Sequence, residues 1–108
     1  ARTLFALTLC ADEALTNVIA YASAPAGAAA LQLRLECART ADSVWLRIAD
    51  NGAVFDPTAQ ESPQLAPSLE DARVGGHGLR LMRHYLRALH YQRQGDCNLL
   101  LLEAAWVP

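Results

Sequence analysis

The sequence predicts an α+β domain, a two-layer α/β sandwich with helices gathered on one face of a mixed or antiparallel sheet. Three observations predict it. Alternating stretches come in two pairs, residues 31–37 with 44–49 and residues 88–94 with 98–107. The second pair is joined at Gly95-Asp96, a hairpin turn. Helical spacing of apolar residues occurs before the first pair and again between the pairs.

The first helix is expected from about Thr3 to Ala22. Leu4, Leu7, Ala11, Leu15, Val18 and Ala22 form an apolar stripe, and Ala6, Cys10, Glu13, Asn17 and Ala20 lie opposite. An ordinary solvent face would carry long polar side chains throughout. This one has small residues around one carboxylate and one carboxamide, spaced i and i+4. Alone, that fits a half-buried helix with two exposed polar groups as well as it fits a ligand-facing one. Ser23-Ala24-Pro25-Ala26-Gly27 breaks the helix. Leu31 to Cys37 alternates leucines with polar groups and predicts a half-buried strand. After the turn Ala41-Asp42-Ser43, Val44 to Ala49 predicts its antiparallel neighbour, which ends in Asp50-Asn51-Gly52.

Residues 57–74 hold Pro57, Pro63 and Pro67, several acids and little periodicity; a loop of this length in a compact domain is usually functional or mobile. Gly75-Gly76-His77-Gly78 follows, and then a helix whose apolar stripe is Leu79, Met82, Tyr85, Leu86 and Leu89. Arg80, Arg83, His84 and Arg87 lie mainly off that stripe and read as a solvated cationic face. Ala88 to Gln94 and Asn98 to Val107 supply the last two strands.

Composition narrows the function. The 108 residues make one domain, 1–108, and 53% hydrophobic with 19% charged residues marks it as globular rather than disordered. A net charge of −2 without a concentrated basic surface disfavours direct nucleic-acid binding. All nine basic residues are arginine, which excludes a catalytic or phosphate-binding lysine. Cys10, Cys37 and Cys97 are odd in number and lack metal-ligand spacing, so they read as buried thiols of a reducing cytoplasm. With no apolar run near about 18 residues and no signal peptide, no membrane span is expected.

Three short motifs carry the chemistry. A glycine-rich turn opening a helix lets backbone approach a ligand and offers free N–H groups to an anion, although Gly75-Gly76-His77-Gly78 is by itself also a hinge. Asp50-x-Gly52 at a strand end is by itself an ordinary turn, but it extends into Ala53-Val54-Phe55-Asp56-Pro57, where Phe55 suggests packing at the loop base and Asp56 a turn or cap. Glu13-x-x-x-Asn17 precedes both. In that order, across nearly the whole chain, the three motifs resemble the GHKL ATPase superfamily with its Bergerat ATP-binding fold. They look most like the serine/threonine-kinase anti-sigma factors of bacterial partner-switching systems.

The resemblance implies ATP and Mg²⁺ as cofactors. It makes Glu13 the catalytic base and Asn17 the residue that binds nucleotide through Mg²⁺. Asp50 would accept from the adenine amino group, with Gly52 giving the base room. Residues 57–75 would be the lid, and Gly76, His77, Gly78 and Leu79 the phosphate-binding turn. It implies a STAS-domain anti-anti-sigma protein as phosphorylation substrate and a sigma factor or similar regulator as the sequestered partner, and it leaves a homodimer open. Two departures stand out. The second glycine of the Asp-x-Gly-x-Gly form is replaced at Ala53 or Val54, and the strand and helix that usually precede the first motif are absent, so the fold is expected to be N-terminally shortened. The alternatives are a sensor histidine kinase catalytic domain, or a non-catalytic module that binds a partner on the same fold.

Overall fold

The computed structural model describes residues 2–22, 31–59 and 78–106. Helix α1 (Arg2–Asn17) continues into a π-helical turn, Val18–Ala22. By length and composition this run is apolar and long enough to cross a membrane, where no such run was expected. In the fold it is a core helix laid across the sheet.

The face it turns to the sheet reverses the expectation. Thr3, Ala6, Cys10, Glu13, Ala14 and Asn17 are buried, whereas Leu4 is 70% exposed. Leu7, Ala11 and Leu15 are only half-buried, while Val18 and Ala22 are buried as expected. The reason is approach distance. Alanine and cysteine let the helix backbone lie close to the strands, and Thr3 donates from Oγ1 to the Ala105 carbonyl at 2.7 Å. A leucine face would have held it further off.

Four strands follow among the described residues: β1 (Leu33–Arg39), β2 (Ser43–Asp50), β3 (Ala88–Gln94) and β4 (Cys97–Ala105). They form one sheet in the order β1-β2-β4-β3, with every neighbouring pair antiparallel. Strand β4 thus enters between the first hairpin and β3. Register puts Val44, Leu46, Ile48 and Asp50 on one face with Asn98, Leu100, Leu102 and Ala104. The core forms where this face meets the helices: Ile48, Leu100 and Leu102 against Cys10, Ala14 and Met82. Fully burying one such side chain stabilises by about 1.5–3 kcal/mol.

Strand β1 is not half-buried as expected. All seven of its residues are exposed, including Leu33 and Leu35, because it is an edge strand and the helices pack over β2 and β4. Helix α2 (Gly78–Tyr85) buries Leu79 and Met82, but Tyr85 is 38% exposed and meets Phe5 edge-on. Leu89, expected on this helix, packs on the core from β3 instead. The β3–β4 hairpin turns at Gly95-Asp96, where Gly95 has φ +59° and is the only described residue with positive φ, the signature of a type II′ turn.

Candidate functional site

Asp50 closes β2 with its side chain on the helix-facing side, 4% exposed. Its Oδ1 accepts from the Gly52 N–H and from Asn98 Nδ2, both at 2.9 Å. No other hydrogen bond reaches this carboxylate among the described residues, and no cation pairs with it. A buried carboxylate held on one oxygen by neutral donors keeps acceptor capacity on the other.

The chain after Asp50 is fastened tightly. Asn51 exchanges hydrogen bonds with Gln32, receiving its N–H on Oδ1 at 2.7 Å. The Ala53 N–H donates to the Ala22 carbonyl at 2.8 Å, tying the loop to the end of the π-helical turn. A Cβ on Gly52 would stand 2.5 Å from that same Ala22 oxygen and 2.8 Å from Ala22 Cβ. In this structure, therefore, the glycine makes room for the helix end. Phe55 stacks on Tyr21 at 5.2 Å, which is the packing its place in the loop suggested. Asp56 caps as expected: its carboxylate accepts from the Thr58 N–H and hydroxyl at the start of the 3-10 turn Pro57–Ala59. Arg83 of α2 donates to the Thr58 carbonyl at 3.2 Å, joining that turn to the second helix.

Glu13 and Asn17 sit on the buried face of α1, 6% and 7% exposed. Among the described residues neither side chain makes a hydrogen bond. Burial raises the Glu13 carboxyl above its ordinary value, and the neighbouring Asp12 charge adds to the shift. The Ala53–Ala22 bond and the Gly52–Ala22 contact anchor the helix that carries Glu13 and Asn17 to the strand end that carries Asp50. These three expected residues belong to one layer interface. Gly78 opens α2, and Leu79 is a core residue, 6% exposed, so what it has to offer an anion is its backbone N–H. Gly76, His77 and lid residues 60–75 lie outside the described residues. An open hollow of about 600 Å³ borders Asp50 on the side of Gln32, Arg34, Ala49 and Cys97, but neither Glu13 nor Asn17 lines it.

Asn98 belongs to this cluster although no motif contains it. It is 3% exposed and all its hydrogen-bonding capacity is used. Nδ2 donates to Asp50 Oδ1 and to the Ala53 carbonyl, while Oδ1 accepts from the Phe55 N–H at 3.2 Å and the Tyr91 hydroxyl at 2.6 Å. Arg93 also lies outside the motifs; it donates to the Gly52 carbonyl at 2.8 Å. Tyr91 is shifted up, chiefly by desolvation; Arg93 opposes this, and Asp56 and Asp50 reinforce it. The one available signal was an asparagine at the head of a leucine strand.

The histidine kinase-like ATPase domain model matches residues 1–103. The chain belongs to that family. It is 54% identical over all 108 residues to the serine/threonine-protein kinase BtrW of Bordetella bronchiseptica, and covers 75% of that protein. It also superposes on the histidine kinase domain of the blue-light activated histidine kinase of Erythrobacter litoralis, with a TM-score of 0.63. That likeness covers 95% of this chain and 44% of the other at 17% identity, so it speaks for the fold alone. The family expectation thus stands: the chain is an ATPase domain of kinase type, built to bind ATP, on the predicted α+β fold.

Proposed function

We propose that this histidine kinase-like ATPase domain is the ATP-binding part of a serine/threonine-protein kinase of the anti-sigma type. It would phosphorylate a STAS-domain antagonist and hold a sigma factor or similar regulator, in a cytoplasmic setting. The observation that carries the reading is the identity with a serine/threonine-protein kinase over the full length of this chain. The geometry supports it: a buried carboxylate at the β2 end, hydrogen-bonded on one oxygen and without an ion-pair partner among the described residues, faces the same layer interface as Glu13 and Asn17.

In this reading Asp50 accepts the exocyclic amino group of adenine. Glu13 takes the proton from the attacking serine or threonine hydroxyl as its oxygen bonds to the terminal phosphorus and the bond to the bridging oxygen breaks. Its raised pKa suits it to act as a base nearer to neutral pH. Asn17 would hold Mg²⁺, which supplies charge stabilisation on the phosphates. One neutral protein oxygen fits a cation that takes most of its ligands from phosphate and water, and no cluster of three or more His, Cys, Asp or Glu occurs among the described residues. Positioning and electrostatics carry most of the barrier reduction in phosphoryl transfer.

The deciding experiment is transfer of labelled terminal phosphate from ATP to candidate STAS proteins. Labelling on serine or threonine supports the reading. Autophosphorylation on histidine would move the chain to the sensor-kinase group, and partner capture without transfer would make it a binding module.

A further inference from the structure

We propose that Asn98 is the positioning residue for Asp50. Its carboxamide, oriented by the Tyr91 hydroxyl, clamps Oδ1 so that Oδ2 is presented to the amino group of a bound base. The inference rests on the reading of Asp50 given above and deepens it.

Register places the two residues directly opposite each other, Asp50↔Asn98, on the helix-facing side of the β2–β4 pair. Asn98 is therefore carried by the sheet and not by a loop. Its four bonds admit one orientation of the amide. Turning the carboxamide over would point its oxygen at the Asp50 carboxylate and the Ala53 carbonyl, both acceptors. It would also point its NH₂ at the Phe55 N–H, a donor. The Tyr91 hydroxyl, donating to Oδ1 at 2.6 Å, holds the carboxamide from the β3 side. With Nδ2 fixed, Oδ1 of Asp50 is fixed as well, because the Gly52 N–H reaches the same atom at 2.9 Å. Two donors on one oxygen leave the carboxylate little freedom to rotate. The remaining oxygen is then set in place before any ligand arrives, which lowers the ordering cost of binding. The same carboxamide also fastens Ala53 and Phe55, so positioning and loop anchoring must be separated by experiment.

The separation uses two nucleotides, ATP and inosine triphosphate, which differ in that a ring carbonyl replaces the amino group. Affinities are measured by titration calorimetry on the intact protein. Wild type should bind ATP at least about 10-fold more tightly, since the alternative sets a carbonyl against a carboxylate. Equal affinities there would overturn the Asp50 reading, and the proposal with it. Given that preference, Asn98→Ala should weaken ATP by about 10-fold or more while inosine triphosphate changes by less than about 3-fold. Tyr91→Phe should act in the same direction by about 2- to 5-fold. Equal weakening of both nucleotides would mean that Asn98 only braces the loop, and unchanged affinity would mean that Asp50 needs no clamp; either overturns the proposal while leaving the Asp50 reading standing. Should Asn98→Ala fail to fold, Tyr91→Phe decides by the same criterion.

Discussion

At one end of the β2–β4 pair, Asp50 is held by a backbone N–H and a carboxamide on a single oxygen. At the other end, Glu103 accepts from the buried Ser43 hydroxyl and has the Arg87 guanidinium 3.7 Å away, with Asp42 at 3.6 Å from the same group. Arg87 also donates to Ser43 at 2.8 Å, and its backbone N–H reaches the Glu103 carbonyl at 2.7 Å. Both ends therefore hold a carboxylate in a hydrogen-bonded cluster. They differ in the cation. The Glu103 end is internally complete and clasps the β1–β2 turn to the entry of β3. The Asp50 end has a carboxylate without an ion-pair partner among the described residues, and Arg93 there donates to the Gly52 carbonyl instead. A self-sufficient cluster serves the fold, and an incomplete one is available to a ligand.

The largest effect should come from Glu13→Ala, which removes the base. Phosphotransfer should fall by about 10²–10⁴ while ATP affinity stays within a few fold, read by single-turnover labelling beside calorimetry. Equal rates in mutant and wild type would take Glu13 out of the chemistry. Next, Asp50→Ala and Glu103→Ala should lose similar stability, about 1–3 kcal/mol each, from orphaned buried donors. The Arg87 ion pair adds little to this, because its guanidinium is 43% exposed and screened. Only Asp50→Ala should also weaken ATP, by about 10- to 150-fold. If both variants weaken ATP alike, the two ends are not functionally distinct.

Gly52→Ala should cost about 1–3 kcal/mol in thermal melts, because the new methyl meets Ala22 backbone instead of a flexible side-chain tip. It should also loosen ATP by pushing the Glu13–Asn17 helix away from Asp50; a neutral result would show that the helix end yields freely. The smallest effect is a pH dependence. Folding raises the Glu13 pKa, so its protonated form is the one folding favours. That contribution is complete below the ordinary glutamate range and is lost as pH rises through the raised value. Glu13→Gln, which cannot ionise, should therefore melt above wild type at about pH 8, with the gap closing towards about pH 4. A gap independent of pH would mean that the ionised carboxylate is not penalised in the folded state.

Legible in the residues alone are the element types and their order, the hairpin turn at Gly95-Asp96, the cap at Asp56 and the packing role of Phe55. Each of these follows from local chemistry: alternation, helical spacing, a positive φ, an oxygen aimed at a free N–H. The sequence also singled out Glu13, Asn17 and Asp50 as candidates, through residue types whose order resembles the superfamily's motifs. Tertiary structure decided which way elements face. Apolar residues run around α1, so periodicity could not tell that Ala6, Cys10 and Ala14 pack inward while Leu4 points to solvent. Four consecutive leucines, 99–102, hide the phase of β4, and only pairing with β2 shows that Asn98 shares the helix-facing side with Asp50. The exposure of β1 likewise depends on where the helices lie and not on its alternation. Local sequence sets the period of an element, but its phase is set by what it packs against.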